Sequence, residues 1–291
     1  MSPPDHLKVA AIQMRMVADV DTNRKRCLDF IHQAADAGAD VVVTPELFTS
    51  LYFCQREDAA LFSLAEAIPD GPTCQALAAV AKARNIVIVG SIFEKRAPGL
   101  YHNAAVVFDR DGSMAGKYRK MHIPDDPNYY EKFYFTPGDL GFQAIDTTAG
   151  KLGTLVCWDQ WYPEGARLTA MKGARMLFYP TAIGAHEREA EGMDAVHRDA
   201  WVTIQRSHAI ANGLFVVAAN RTGVEEEMKF WGSSFIADPM GQVLAQASTD
   251  QEEVIMADIN FIDTDVAREG WPFFRDRRID AYDALTQRWL D

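Results

Sequence analysis

The chain has few cysteines, no pairing pattern among them, no long apolar run and no excess of positive charge, and each shortage removes a class of function. Its four cysteines, Cys27, Cys54, Cys74 and Cys157, are scattered without a C-x-x-C pair, so neither a zinc site nor a disulfide framework is indicated. No apolar stretch approaches the roughly 20 residues that a membrane-spanning helix needs. Met1-Ser2-Pro3-Pro4-Asp5-His6 has neither the basic nor the apolar region of a signal peptide, so cytoplasmic residence with no membrane partner is the expectation. With 29 Lys and Arg against 41 Asp and Glu, the formal net charge is -12, which argues against nucleic acid as a partner. Pro/Gly/Ser-rich linkers, charge blocks and low-complexity tracts are also missing, so residues 1–291 read as a single domain.

What the chain does have is alternation. Residues 7–14 read as a buried strand, 21–37 as an amphipathic helix and 40–44 as a second strand stopping at Pro45-Glu46, a βαβ opening. A helix at 73–84 and a strand at 86–93 come next. Residues 104–108 and 113–118 then form a hairpin across Asp109-Arg110-Asp111-Gly112. The second half repeats the pattern with a strand at 151–156, a helix at about 163–172, a strand at 175–179, a long helix at roughly 193–212 and a strand at 214–219. Residues 230–237 pair with 242–246 across Asp238-Pro239-Met240-Gly241. The fold class is α/β, and two mixed sheets packed face to face with helices outside satisfy it. A tail, about 262–291, rich in Arg and aromatics, docks either on a partner subunit or on its own domain.

Cys157 closes the apolar run 152–156 and precedes a helix-like segment, where free N–H groups favour a thiolate. Amide hydrolysis by a thiol also requires a proton shuttle and donors for the oxyanion. Glu46 comes after a strand and a proline and suits the general base. Lys120, just past the hairpin, brings a cation to the tetrahedral intermediate, and Glu131 orients Lys120. Cys54 reads as packing rather than as a second nucleophile, and His122 as a fold-holding hydrogen bond. His197 and His208 could share a helix face, yet no acid completes a metal-ligand pattern.

Val43-Thr44-Pro45-Glu46-Leu47-Phe48, Tyr118-Arg119-Lys120-Met121-His122-Ile123-Pro124 and Leu155-Val156-Cys157-Trp158-Asp159 together resemble the Glu, Lys and Cys signatures of the nitrilase, or carbon-nitrogen hydrolase, superfamily. Within it, Asp125-Asp126-Pro127, the run 130–139, Cys157-Trp158-Asp159-Gln160-Trp161-Tyr162-Pro163-Glu164 and Tyr179-Pro180-Thr181-Ala182-Ile183-Gly184 resemble the N-carbamoylputrescine amidases, and the resemblance spans about 7–290. It implies a four-layer αββα sandwich that pairs into homodimers and often assembles further, with no metal and no organic cofactor. Cys157 resembles the nucleophile, Glu46 the base, Lys120 the charge stabiliser, Glu131 the second glutamate and the Trp158 backbone N–H an oxyanion donor. The implied reaction is hydrolysis of N-carbamoylputrescine to putrescine, ammonia and carbon dioxide through a covalent cysteine intermediate. Another ureido acid or an ω-amide is the alternative substrate, and a non-catalytic binding or assembly relative the alternative class.

A cationic ureido substrate needs a carboxylate or ring face for its distal ammonium. Tyr52, Tyr130, Trp161, Ala182 and Glu187 are the candidates for lining its pocket. Plant members resemble Ile-Gly-Ser-Glu where this chain reads Ile183-Gly184-Ala185-His186-Glu187. Either Glu187 reaches the same place through a different loop, or other groups hold the ammonium.

Overall fold

Along each strand a period of two sends one set of side chains between two sheets and the other set beneath helices. The structure, a computed structural model, describes residues 5–186 and 192–290. In the first sheet β1 (His6–Gln13), β2 (Val41–Val43) and β3 (Val87–Ala97) run parallel, and the antiparallel β4 (Leu100–Phe108) and β5 (Met114–Arg119) extend it. The second sheet starts with β6 (Ala144–Thr147) antiparallel to β7 (Gly150–Thr154), which lies parallel to β8 (Met176–Thr181). After β9 (Gly184–His186), β10 (Phe215–Asn220) pairs parallel with β8, and β11 (Thr222–Glu225) and β12 (Met228–Trp231) join β9 in a separate three-stranded ribbon. Antiparallel β13 (Phe235–Ala237) and β14 (Val243–Gln246) finish the second sheet, while β15 (Glu253–Asn260) returns to pair with β1.

The core obeys the alternation. Val9, Val41, Val43, Val87 and Val89 meet Met176, Phe178, Phe215 and Val217 between the sheets. Their sequence neighbours Ala10, Ile12, Val42 and Ile88 pack on Cys27 and Ile31 of α1 (Val20–Asp36) and on Cys74 and Leu77 of α2 (Pro72–Arg84). A one-turn helix, α3 (Glu131–Tyr134), precedes the second half. There Leu177, Tyr179, Val216 and Ala218 pack on Ala166 and Ala170 of α4 (Pro163–Met171) and on Trp201 and Ala209 of α5 (Met193–Asn212). Helix, sheet, sheet and helix make the four layers of the αββα sandwich. Each fully buried Val, Leu or Phe in them stabilises the stack by about 1.5–3 kcal/mol.

Three expectations need correcting. The stretch 230–237 is not one strand: Gly232 and Ser233 take φ of 53° and 60°, which breaks the pleat, so β12 joins the ribbon and only β13 pairs with β14. The strand expected at 151–156 ends at Thr154. Cys157 then opens a five-residue 3-10 turn, Cys157–Trp161, and α4 begins only at Pro163. Finally, β3 continues past Phe93 through the polar Glu94, Lys95 and Arg96 to form a hairpin with β4; Glu94 is nevertheless buried, paired with Arg119 and Lys117.

The tail begins with α6 (Phe261–Gly270) and then folds against its own chain at Phe274, whose ring lies under the guanidinium groups of Arg167 and Arg268 at 5.0 and 5.4 Å. Trp271, Ile279, Leu285 and Trp289 remain exposed.

Candidate active site

The reactive groups gather where β2, β5, β7 and β8 end. Glu46 lies beyond β2, after Thr44-Pro45, and its N–H donates to the carbonyl of Thr181 at 3.3 Å, at the close of β8. Cys157 lies beyond β7, and its Sγ donates to the next carbonyl, Ala182, at 3.7 Å. One strand end therefore receives both. Lys120, next after β5, sends Nζ to Oε1 of Glu46 at 3.0 Å and to Oε2 of Glu131 at 2.6 Å. All three of these charged side chains are fully buried.

Each oxygen around Lys120 has a distinct assignment. Oε1 of Glu46 accepts from both Lys120 and Nδ2 of Asn103, the latter at 2.7 Å. Oε2 of Glu46, equally buried, has no hydrogen-bond partner among the described residues, so it retains the lone pairs that accept a proton. Oε1 of Glu131 takes the hydroxyl of Tyr52 at 2.7 Å. Burial alone would lower the Lys120 pKa, but Glu131 and Glu46 hold it well above the ordinary lysine range, the direction that favours the cation. Burial pushes the Glu131 carboxyl up against the opposing pull of Lys120.

Burial and the adjacent Glu46 also hold the Cys157 thiol well above its ordinary range, and Lys120 only partly opposes them. This direction runs against the expectation of a readily ionised thiol, with burial its largest cause. A thiol so placed needs a base before it can act as a nucleophile. Its backbone is strained: φ at Cys157 is 43°, a left-handed value that side chains with a Cβ avoid. Asp159 pins the turn, with Oδ2 accepting from the N–H of Val156 at 3.0 Å and from the Tyr118 hydroxyl at 2.8 Å. Its Oδ1 accepts from the N–H of His122 and bonds that residue's Nδ1 at 2.7 Å, and the imidazole stacks on Tyr162. His122 is thus a structural partner of the turn, as expected.

A cavity of about 480 Å³ opens on Cys157, walled by Trp158, Trp161, Trp231, Tyr129 and Ile183, with Asp126, His186 and His197 among its polar residues. Trp161 is on the cavity wall, but Ala182 is not: it is fully buried and supplies its carbonyl to the thiol instead of lining the pocket. Tyr52 does not line the cavity; it is 1% exposed and commits its hydroxyl to Glu131. Tyr130 is off the wall as well, because the chain reverses into α3 there and its N–H bonds the carbonyl of Cys54 at 2.8 Å, while Tyr129 takes the expected position. Glu187 lies outside the described residues. Cys54 is buried among Tyr52, Phe53 and Tyr134 and packs as expected. His208 is buried on the carbonyl of Gln160, whereas His197 is exposed at the cavity, so the two share no site. Among the described residues no cluster of three His, Cys, Asp or Glu could hold a metal ion.

Asn103 was not apparent from the sequence. Its only signal was the polar pair His102-Asn103 before the apolar run of β4.

Known proteins resemble this chain over most of its length. The carbon-nitrogen hydrolase family model matches residues 8–269. The chain is 41% identical to N-carbamoylputrescine amidase of Solanum lycopersicum, over 95% of this chain and 94% of that protein. It is 39% identical to a citrullinase of Francisella tularensis, over 98% of this chain and 99% of that one. Among solved structures, a carbon-nitrogen hydrolase from Helicobacter pylori superposes with a TM-score of 0.94 at 46% identity, covering 98% of this chain and 100% of its own. Matched by that family model over most of its length and sharing the sandwich fold of its relatives, the chain belongs to the carbon-nitrogen hydrolase family.

Proposed function

We propose that this hydrolase cleaves N-carbamoylputrescine through a covalent Cys157 intermediate. The observation that carries the mechanism is the buried Oε2 of Glu46, without a hydrogen-bond partner among the described residues, close to a thiol whose ionisation burial and Glu46 oppose. Glu46 takes the thiol proton as sulfur bonds to the ureido carbon. The oxyanion so formed is stabilised by Lys120 and by the N–H of Trp158, which heads a 3-10 turn whose first amides lack intrahelical acceptors. Glu46 then gives its proton to the departing nitrogen as the C–N bond breaks. Water, deprotonated by the same carboxylate, cleaves the carbon–sulfur bond and returns the thiol; the carbamic acid released loses carbon dioxide. The net products are putrescine, ammonia and carbon dioxide.

Asp126 supports a cationic substrate. It lines the cavity together with the Trp161 and Tyr129 rings and makes no ion pair among the described residues. At an exposed site such a pairing contributes about 0.2–1 kcal/mol. Asp126→Asn is therefore expected to raise KM for N-carbamoylputrescine by about 1.4- to 5-fold. An uncharged N-alkylurea of equal length should show no change, and an equal rise for both would remove Asp126 from substrate recognition.

A second reading is hydrolysis of citrulline, which carries the same ureido group plus an α-carboxylate. It is favoured by the likeness to the citrullinase and by His186 and His197 on the cavity wall. Ammonia release compared across N-carbamoylputrescine, citrulline and N-carbamoyl-β-alanine decides. A kcat/KM highest for the diamine supports the first reading, and one highest for citrulline replaces it. We further propose a homo-oligomer, since the tail exposes Ile279, Leu285 and Trp289. Light scattering that gave the monomer mass of 32.4 kDa would reject this assembly.

A further inference from the structure

The groups that hold Glu46 extend beyond Lys120 and Asn103. Arg221, the residue after β10, is fully buried, and its Nη2 donates to the carbonyl oxygens of Glu46 at 2.7 Å and Leu47 at 3.1 Å. Its Nη1 reaches the carbonyl of Ser50 at 3.3 Å and the Glu225 carboxylate at 2.9 Å. Glu225, 3% exposed, in turn accepts the N–H of Tyr52 at 2.6 Å. Since the Tyr52 hydroxyl bonds Glu131, Glu131 bonds Lys120 and Lys120 bonds Glu46, the contacts close a buried ring of six residues that passes through the main chain at Glu46 and Tyr52. The rings of Phe230 and Tyr52 flank the guanidinium at 5.2 and 5.7 Å and keep water from it.

The turn at Glu46 needs such a clamp. Leu47 has φ of 47°, a costly conformation for a residue with a Cβ, and it aims two successive carbonyls at the guanidinium rather than into a sheet ladder. A fork of several N–H donors can serve both carbonyls and a carboxylate together, whereas an ammonium is a single point of charge.

We propose that Arg221, with Glu225 as its counter-ion, is a positioning residue for the reaction: it fixes the strained Glu46–Leu47 turn so that the free oxygen of Glu46 meets the thiol of Cys157. This rests on Glu46 being the base. The test is a double-mutant cycle read by the rate of Cys157 alkylation with iodoacetamide, with peptide mass mapping, in the full-length wild type, Glu46→Gln, Arg221→Lys and the double variant. Each single change should slow alkylation by about 10²-fold, the effect of misplacing or removing a reacting group. The double variant should lie within about threefold of the slower single one, because Arg221 acts through a carboxylate already lost. A merely structural arginine would slow both backgrounds equally, to about 10⁴-fold in the double variant, and that result overturns the proposal, as does an unslowed Arg221→Lys. If Glu46→Gln alone alkylates at wild-type speed, the base assignment fails, and any role exerted through it fails too. Should Arg221→Lys not give a cooperative melt, the same cycle run with Glu225→Gln decides by the same criterion: a factor lost in the Glu46→Gln background supports positioning, and a factor that persists rejects it.

Discussion

Replacing Cys157 with alanine lowers hydrolysis by at least about 10⁴-fold, in the range seen when a covalent nucleophile is removed, while the protein stays folded. Sulfur lines the cavity, whereas Glu46, Lys120 and Glu131 are fully buried. Without sulfur these groups can at most polarise a water, and no covalent intermediate forms. Ammonia release per folded molecule, with folding checked by circular dichroism, measures the loss; near-normal turnover would sink the covalent mechanism. The same position offers a test of the backbone. At φ of 43° any Cβ is penalised by roughly 1–2 kcal/mol, whereas glycine usually destabilises a site relative to alanine through its greater unfolded-state freedom. Cys157→Gly is therefore expected to melt no lower than Cys157→Ala. A clearly higher melting temperature for alanine would show that the turn relaxes and that no strain is held there.

The reason that strain is invisible in the sequence holds for several other features of the molecule. Strands and helices with a strong apolar period were legible: α5 was bounded at residues 193–212 because glycines flank both ends, and β1, β8 and β10 were located to within about two residues, the usual uncertainty of strand ends. A left-handed Leu47 or Cys157 was not read from the sequence, since each also depends on a contact from elsewhere in the chain: Arg221 for the first, Ala182 for the second. β15 went unread because its residues alternate only weakly between buried and exposed, its stability coming from the eight-residue register with β1. In the site, Glu46, Lys120 and Cys157 were legible through motif spacing. Asn103 and Arg221 were not, because their roles arise when side chains reach across strands. The one-residue exchange of Tyr130 for Tyr129 is the ordinary error of judging direction in a reversing loop.

Lys120→Ala is the second large effect, and it acts on stability and rate together. Nζ stands between two carboxylates at 3.0 and 2.6 Å, with all three side chains inaccessible to solvent. Removing it leaves Glu46 and Glu131 as like charges in a low-dielectric interior, where one must take up a proton. Breaking a buried charge pair in this way destabilises by about 3–5 kcal/mol. Turnover falls by about 10²–10³-fold from the missing oxyanion donor alone, and further if the captured proton sits on Glu46, which then cannot accept one from the thiol. The two consequences separate in the double variant Lys120→Ala/Glu131→Gln. A neutral amide beside Glu46 ends the repulsion, so the denaturant midpoint should recover most of its loss, while turnover stays low because no cation faces the oxyanion. Urea melts and ammonia release on the three proteins test both halves. If the double variant regained turnover along with stability, Lys120 would serve only to neutralise the glutamates, and its part in stabilising the tetrahedral intermediate would have to pass to the backbone donors of the Cys157 turn.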